Sequence, residues 1–340
     1  MAERAVYVSC ADDRAIHVLA MDEASGALRA RAVVEVPGPP GPATSMPLAF
    51  SVDRRFLYAA IRLPPYPVSC FVVDPPGGIP VLRGTAELPE AMAYIACAGG
   101  HLLGASYPGA LLSSSPSGAG GVPGVACDVV RTSPKAHSIL PDPAGRFIYA
   151  AVLGGDEILI FTLDAQGRLQ PAGRAEIRPG AGPRHLRFAP GGRFLYAVNE
   201  SDATIDAWRV NTATGALSLE QTVAMLPPGT EGRIAAADIQ ITPDGRFLYA
   251  SERLTNILFG CRVDAATGRL EPIGAVPAEA APRGFAIDPN GRFLLCAGQS
   301  TGRVAAYAID GQGGRLTRIG EHPVGANPNW VEFAPAASSG

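Results

Sequence analysis

GRFLYA, at residues 192–197 and again at 245–250, is the stretch that decides the fold. Near-copies stand at 54–59 (RRFLYA), 145–150 (GRFIYA) and 291–296 (GRFLLC), and degenerate ones at 5–10 (AVYVSC) and 101–106 (HLLGAS). With the phenylalanine as marker, the equivalent positions are 5, 56, 102, 147, 194, 247 and 293. Their separations of 51, 46, 45, 47, 53 and 46 residues lie within or a little above the period of one four-stranded propeller blade. Seven copies predict an all-β chain folded as a seven-bladed β-propeller.

Each copy is followed by further strand patterns in constant order. About ten residues on comes a second alternating segment, such as EILIFTLD (157–164) or TIDAWRVN (204–211), then a polar turn and a Gly-x-Leu strand such as GRLQPAGRAEI (167–177). Ahead of each copy lies one more strand, as in HSILPD (137–142), HLRFAP (185–190), ADIQITPD (237–244) and GFAIDPN (284–290), ending in a hairpin turn of Pro with Asp, Gly or Asn. The unit reads A-B-C-D, with GRFLYA as B. Because the chain starts in a B-type strand and ends in PNWVEFAP (328–335), which has the A pattern, the C-terminal strand is expected to complete the first blade and close the ring.

Composition fits this architecture. Forty Gly and 32 Pro among 340 residues punctuate many short strands, and no amphipathic helical stretch exceeds two turns. Continuous repeats leave no place for a domain boundary, so residues 1–340 are expected to form a single propeller domain. The least regular part is 108–136, where SSSPSGAGGVPG (113–124) reads as a flexible loop within the third blade.

The N-terminal MAERAVYVSC carries charge where a signal peptide needs an apolar core, and no apolar run matches a membrane span; a cytoplasmic protein with no membrane partner is expected. Six cysteines without paired or metal-ligand spacing read as buried free thiols. A net charge of −3 without a basic run gives no nucleic-acid footprint. No Gly-rich phosphate loop, nucleophile elbow or zinc spacing is present, so neither a cofactor nor a metal is expected. A monomer or weak dimer is expected.

In an A-B-C-D meander the start of A, the end of B and the start of C share one face, because neighbouring strands run antiparallel. At the starts of A stand His137, Arg184, His185, Arg233, Asp238, Arg283, Asn329 and Trp330; just after B stand Arg62, Tyr107, Asn199, Glu200, Glu252, Arg253 and Gln299. The opposite face carries only turn residues. Five arginines with imidazoles and carboxylates make a cationic bowl suited to a substrate bearing carboxylate or phosphate. Guanidinium groups can stabilise an oxyanion, and a carboxylate or imidazole among them can serve as general acid or base.

KAHSI (135–139), GPRHLRF (182–188), YAVNE (196–200), GRIAAADIQITPDGR (232–246), PRGFAID (282–288), CAGQS (296–300) and NPNWV (327–331) carry a resemblance to the bacterial 6-phosphogluconolactonases of seven-bladed propeller type. The same superfamily contains fungal 3-carboxymuconate lactonizing enzymes. The resemblance spans essentially the whole chain and implies lactone chemistry on a small acidic substrate. Hydrolysis of 6-phosphogluconolactone is the leading expectation; cyclisation of 3-carboxymuconate, hydrolysis of another acidic sugar lactone and a non-catalytic interaction propeller are the alternatives. Carried over by residue, the implied catalytic groups are His137, Glu200, Arg184 and Arg283, with Arg233 and Arg253 nearby; the repeat geometry adds Arg62, Tyr107, His185 and Gln299, and with Arg233 and Arg253 these are the expected substrate-binding residues. Either Glu200 or His137 would activate water.

Blander roles compete at several positions. His137 can simply brace neighbouring strands, and His185, followed by alternating Leu-Arg-Phe, can be structural. Asp238, opening a strand, more naturally satisfies backbone N–H groups or orients an arginine. Trp330 suits packing of the closure strand. Arg55, Arg146, Arg193, Arg246 and Arg292 recur in the A–B turns of the opposite face and are expected to be structural or solvated. A strands start nearest the axis, which assigns Arg184, Arg233 and Arg283 to the reacting carbonyl and Arg62 and Arg253 to the substrate's far end.

Overall fold

The GRFLYA copies are the second strands of seven four-stranded antiparallel sheets in the computed structural model, which describes residues 2–73, 78–230 and 232–335. The fourth blade is representative: Ala136–Pro141, Ile148–Val152, Glu157–Leu163 and Leu169–Glu176 are its A, B, C and D strands. The A strands pack side by side around the axis in a closed ring, while D strands are outermost and largely exposed. Closure is as expected. Pro328–Phe333 pairs with Glu3–Cys10 and completes the first blade, so that sheet joins the two ends of the chain.

The core is not one mass but seven clusters, one between each pair of neighbouring blades. Alternation on B and C strands puts apolar groups on both faces of each sheet, because each face meets another blade. Burial of this surface at about 25 cal/mol per Å² is what holds the ring together.

GRFLYA is an inter-blade clasp. Its tyrosine hydroxyl donates to the carbonyl of a turn glycine in the next blade's C–D hairpin: Tyr7 to Gly78, Tyr58 to Gly121, Tyr149 to Gly215, Tyr196 to Gly268 and Tyr249 to Gly314. Its phenylalanine lies against the same hairpin. A Cβ on Gly215 would come within 2.7 Å of the Phe147 ring, and Gly215 has φ +76°, so only glycine fits. Its arginine stacks on that phenylalanine and, in Arg146 and Arg292, donates to a carbonyl of the next blade, Thr212 and Glu23. These arginines are structural, as expected.

Blade three departs from the expectation in two ways. Leu111–Pro116 is a regular C strand with Ser113, Ser114 and Ser115 buried, and Asp128–Arg131 pairs with it as strand D. Serine is small enough for the tight blade interior, and composition alone misread it as loop. The marker also shifts by one residue: Ser106 pairs with Leu111 as Asn199 pairs with Thr204, so His101, not Leu102, occupies the phenylalanine position and lies on the turn glycine Gly167. The expectation of burial holds for Cys10, Cys70, Cys261 and Cys296; Cys97 is half-buried and Cys127, between strands C and D, is exposed.

Candidate active site

The channel mouth at the starts of A is built by β-bulges. Register skips one residue between Ala136 and Ser138, Pro183 and His185, and Pro282 and Gly284; the skipped residues are His137, Arg184 and Arg283. A bulge leaves its extra residue out of the ladder and re-aims the side chain, here away from the normal in-and-out alternation. Two residues earlier, Lys135, Gly182 and Ala281 have φ of 66°, 68° and 55°. For Lys135 and Ala281 this left-handed turn costs roughly 1 kcal/mol or more each. A second tier comes from just beyond the B strands: Glu200, Arg253, Gln299 and Tyr107 directly after theirs and, in blade two, Arg62, two residues after Ala60.

These tiers meet on Glu200. Its Oε2 lies 2.8 Å from Arg184 Nε and 3.0 Å from Arg253 Nη2. The Arg184 N–H does not point along that contact, which is an ion pair rather than an aligned hydrogen bond. Arg253 is steadied by an Nε–H bond to the Ala235 carbonyl at 3.0 Å. Arg184 is fully buried; its Nη1 donates to the Ala237 carbonyl and to His185 Nε2, the latter at 3.1 Å. His185 Nδ1 meets Asp238 Oδ1 at 2.9 Å.

His137 is buried between aromatic edges, its ring centroid 5.7 Å from Tyr107 and 5.3 Å from His185, and its Nδ1 has no hydrogen-bond partner. Behind it, Tyr94 and Trp330 pack on His185 at 5.1 and 5.8 Å. Arg62 donates from Nη1 to Ser45 Oγ at 3.0 Å, but its Nε is buried without a partner. Arg283, half-buried, makes no hydrogen bond or ion pair among the described residues.

The electrostatics follow from four guanidinium groups around Glu200, with Asp238 behind His185. Burial, then the Arg184, Arg253 and Arg62 charges, hold the Arg283 pKa well below its usual value. Arg184 is lowered to about 10, chiefly by burial and then by Arg253, with Glu200 opposing. His137 is held well below 6.5 by burial, then by Arg184, His185, Arg283 and Arg62. His185 is lowered to about 4 by burial and Arg184, so both imidazoles are neutral at pH 7. Positive charge is concentrated beyond what the local carboxylates compensate, and an anion entering here would relieve it.

Most expected site residues are brought together: His137, Arg184, His185, Glu200, Arg253, Arg283, Arg62 and Tyr107. Arg233 is not. It lies exposed in the segment before Ala236–Ile241, and the bulge position of that blade is the small Ala237, so Arg233 does not start a strand at the axis. Gln299 binds Asn327 Oδ1 at 2.8 Å and braces the closure strand. The division of Arg253 from Arg184 also fails, since both hold the same carboxylate oxygen. Glu252 turns away and caps the backbone N–H groups of Ala235, Leu254 and Thr255. Sequence reasoning missed Tyr94 and Ser45; with blade three aligned on His101, Tyr94 takes the same register as His185 and becomes visible.

Comparison with known proteins converges on one family. The family described as "Lactonase, 7-bladed beta-propeller" matches residues 3–333. A 6-phosphogluconolactonase of Pectobacterium carotovorum is 36% identical over 289 residues, 84% of this chain and 85% of that protein. One from Klebsiella pneumoniae is 35% identical over 287 residues, 83% and 84%. Among solved structures, a putative 6-phosphogluconolactonase of Bacteroides fragilis superposes with a TM-score of 0.89 at 28% identity, covering 98% of both chains. A periplasmic gluconolactonase of Pseudomonas aeruginosa gives 0.89 at 25% identity, over 98% of this chain and all of that one.

Proposed function

The chain belongs to the seven-bladed β-propeller lactonase family, and on that premise we propose that it hydrolyses 6-phosphogluconolactone to 6-phosphogluconate in the Glu200-centred cluster. The observation that carries this reading is the charge imbalance: Arg62, Arg184, Arg253 and Arg283 gather around Glu200, with only Asp238 behind His185 as a further carboxylate acting on Arg184, and Arg62 and Arg283 have no ion-pair partner among the described residues. A phosphate supplies the missing negative charge, and Arg62 and Arg283 are the guanidinium groups free to take it.

His137 is the base in this mechanism. It is neutral, and no hydrogen bond among the described residues holds its ring. Before substrate binds, the arginines make imidazolium costly; the substrate's phosphate offsets their charge and raises the proton affinity of His137 at the moment it is needed. Water adds to the lactone carbonyl as His137 takes its proton, and Arg184 stabilises the tetrahedral oxyanion. Collapse breaks the bond to the ring oxygen, which receives the proton from His137; the product carboxylic acid then ionises to solvent. Glu200 holds Arg184 and Arg253 in place. The proposed mechanism calls on no metal; among the described residues no group of three His, Cys, Asp or Glu side chains is placed to hold one.

No helix among the described residues is long and apolar enough to cross a membrane. A cytoplasmic setting is part of the proposal, since a phosphorylated lactone does not cross a bilayer unaided. A coupled assay with freshly prepared 6-phosphogluconolactone tests the reaction. Acceleration above the spontaneous rate, weaker with unphosphorylated gluconolactone and unchanged by EDTA, is expected; no acceleration at high enzyme concentration ends the reading.

A further inference from the structure

We propose that Asp238 and His185 are positioning residues for Arg184, forming a fixed-tautomer chain Asp238–His185–Arg184–Glu200 that links two blades and is anchored on a third. The inference rests on the lactonase reading for its kinetic consequence but not for its geometry.

The direction of each hydrogen bond is forced. A guanidinium has donors only, so in the 3.1 Å contact between Arg184 Nη1 and His185 Nε2 the imidazole nitrogen must accept. The ring proton therefore sits on Nδ1, which donates to Asp238 Oδ1 at 2.9 Å. Asp238 is in turn pinned by backbone N–H groups: Ile239 donates to Oδ1 at 2.8 Å and Phe285, in the next blade, to Oδ2 at 3.1 Å. Asp238 thus belongs to blade six, is tied to blade seven, and reaches through His185 to an arginine of blade five.

The chain answers a problem that Arg184 poses. A fully buried guanidinium loses its hydration and needs acceptors at fixed places, or it will swing to find them. Glu200 faces its Nε, the Ala237 carbonyl takes one Nη1 hydrogen, and His185 takes a share at the same nitrogen. His185 can fill that place only as the Nδ1–H tautomer; as imidazolium, or with the proton on Nε2, it would present a donor to a donor. Asp238 selects the useful tautomer. Tyr94 and Trp330 clamp the ring from the channel side and stop it from rotating. His185 does not touch the reacting atoms in this arrangement, which revises its expected role in substrate binding.

Nitrogen-15 correlation spectra of the histidine rings test the tautomer directly and need no enzymatic activity. The expected result is His185 with its proton on Nδ1 across pH 6 to 8; a proton on Nε2, or titration in that range, overturns the proposal. Kinetics test the positioning role. Asp238→Asn, which can offer an amide donor where the carboxylate accepted, is expected to lower kcat about 100-fold with KM within about threefold, the scale of a small misplacement of a catalytic group. His185→Gln keeps an acceptor for Arg184 and a donor for Asp238, and should retain activity within about tenfold; His185→Phe keeps the packing but neither bond and should match Asp238→Asn. Equal activity of the Gln and Phe variants overturns the proposal, and that pair decides alone if Asp238→Asn does not fold. A wild-type protein without lactonase activity but with the Nδ1–H tautomer would sink the function and leave the chain standing.

Discussion

At the mouth formed by the A–B and C–D turns, five blades repeat one contact, a tyrosine hydroxyl on the next blade's turn glycine. At the other mouth His137, Arg184 and Arg283 occupy bulges, and Arg62, Tyr107, Glu200, Arg253 and Gln299 follow the B strands. Both ends come from the same strands. What differs is the demand: one clasp serves most blade interfaces, whereas an asymmetric substrate needs each blade to present something different. The mouths also differ in their filling. On the clasp side the channel widens into a cavity of about 590 Å³ reached by Arg54, Arg187 and Glu332, and Tyr94 and Trp330, which line it, stand between it and His185.

Substitutions at the two mouths should therefore separate activity from stability. The largest effect expected is on His137→Asn, with kcat lowered about 1,000-fold, worth about 4 kcal/mol of barrier, and thermal stability little changed. Glu200→Gln should lose less and raise KM as well, because it loosens Arg184 and Arg253 together. Steady-state kinetics beside thermal melts decide it; if Glu200→Gln loses more in kcat than His137→Asn, the base is Glu200. Next in size is Gly215→Ala at the opposite mouth. The new Cβ would meet the Phe147 ring in a backbone conformation that L residues resist, and a loss of about 3 kcal/mol in unfolding free energy is expected. The kcat per folded molecule should stay at the wild-type value, and a fall would mean the two ends are coupled.

Acid should expose the cost of the buried imidazoles. His137 and His185 have folded pKa values below the unfolded value of about 6.5, so between those limits the unfolded chain binds protons that the folded one refuses. Their neutral burial is therefore no handicap above pH 6.5, and stability falls as pH drops below it. Each contributes a slope of about 1.4 kcal/mol per pH unit, for His185 down to pH about 4. Urea midpoints from pH 7 to 5 should fall more steeply for the wild type than for His137→Asn; equal slopes would mean that His137 is not held neutral.

How much of this was legible in the sequence follows the same divide. The clasp mouth repeats, so GRFLYA announced seven blades, the closure by PNWVEFAP and the structural role of Arg146 and Arg292 without any side-chain geometry. The site lies where the repeat breaks, and spacing could only say which residues face that way. It could not see that Ala237 takes the bulge and leaves Arg233 outside, that Glu252 bends back to its own backbone, or that Arg184 and Arg253 converge on one oxygen. Those outcomes depend on bulges and left-handed residues, which a two-residue alternation does not encode. Blade three was misread for a related reason, since buried serines look like loop to composition but fit a crowded sheet.

Among the arginines, the contrast to sharpen is between those already paired and those left open. Arg62 has only Ser45 as a side-chain partner, and its buried Nε has none, so it can turn to a substrate phosphate without breaking an ion pair. Arg62→Ala should raise KM for 6-phosphogluconolactone about tenfold, equivalent to about 1.4 kcal/mol, with kcat nearly unchanged. For unphosphorylated gluconolactone the KM should not move. Equal effects on both substrates would place Arg62 elsewhere than on the phosphate.

The smallest expected effect is the cleanest check on the clasp. Tyr149→Phe removes the hydroxyl that donates to Gly215 at 2.7 Å and leaves the ring among the buried side chains of blades four and five. A net hydrogen bond contributes about 1 kcal/mol, and the Gly215 carbonyl loses its partner in a setting that water does not readily reach, which keeps the loss near that figure rather than below it. Five such contacts join five of the seven blade interfaces. If they act independently, Tyr149→Phe and Tyr249→Phe, separated by a full blade, should lower the unfolding free energy additively, by about 2 kcal/mol together. A double mutant that loses distinctly less than that sum would show that each clasp depends on the other, so that closure is cooperative rather than a set of separate seams. Denaturant titration of the two single variants and the double variant distinguishes these outcomes, and lactonase activity at low denaturant should be the same in all three.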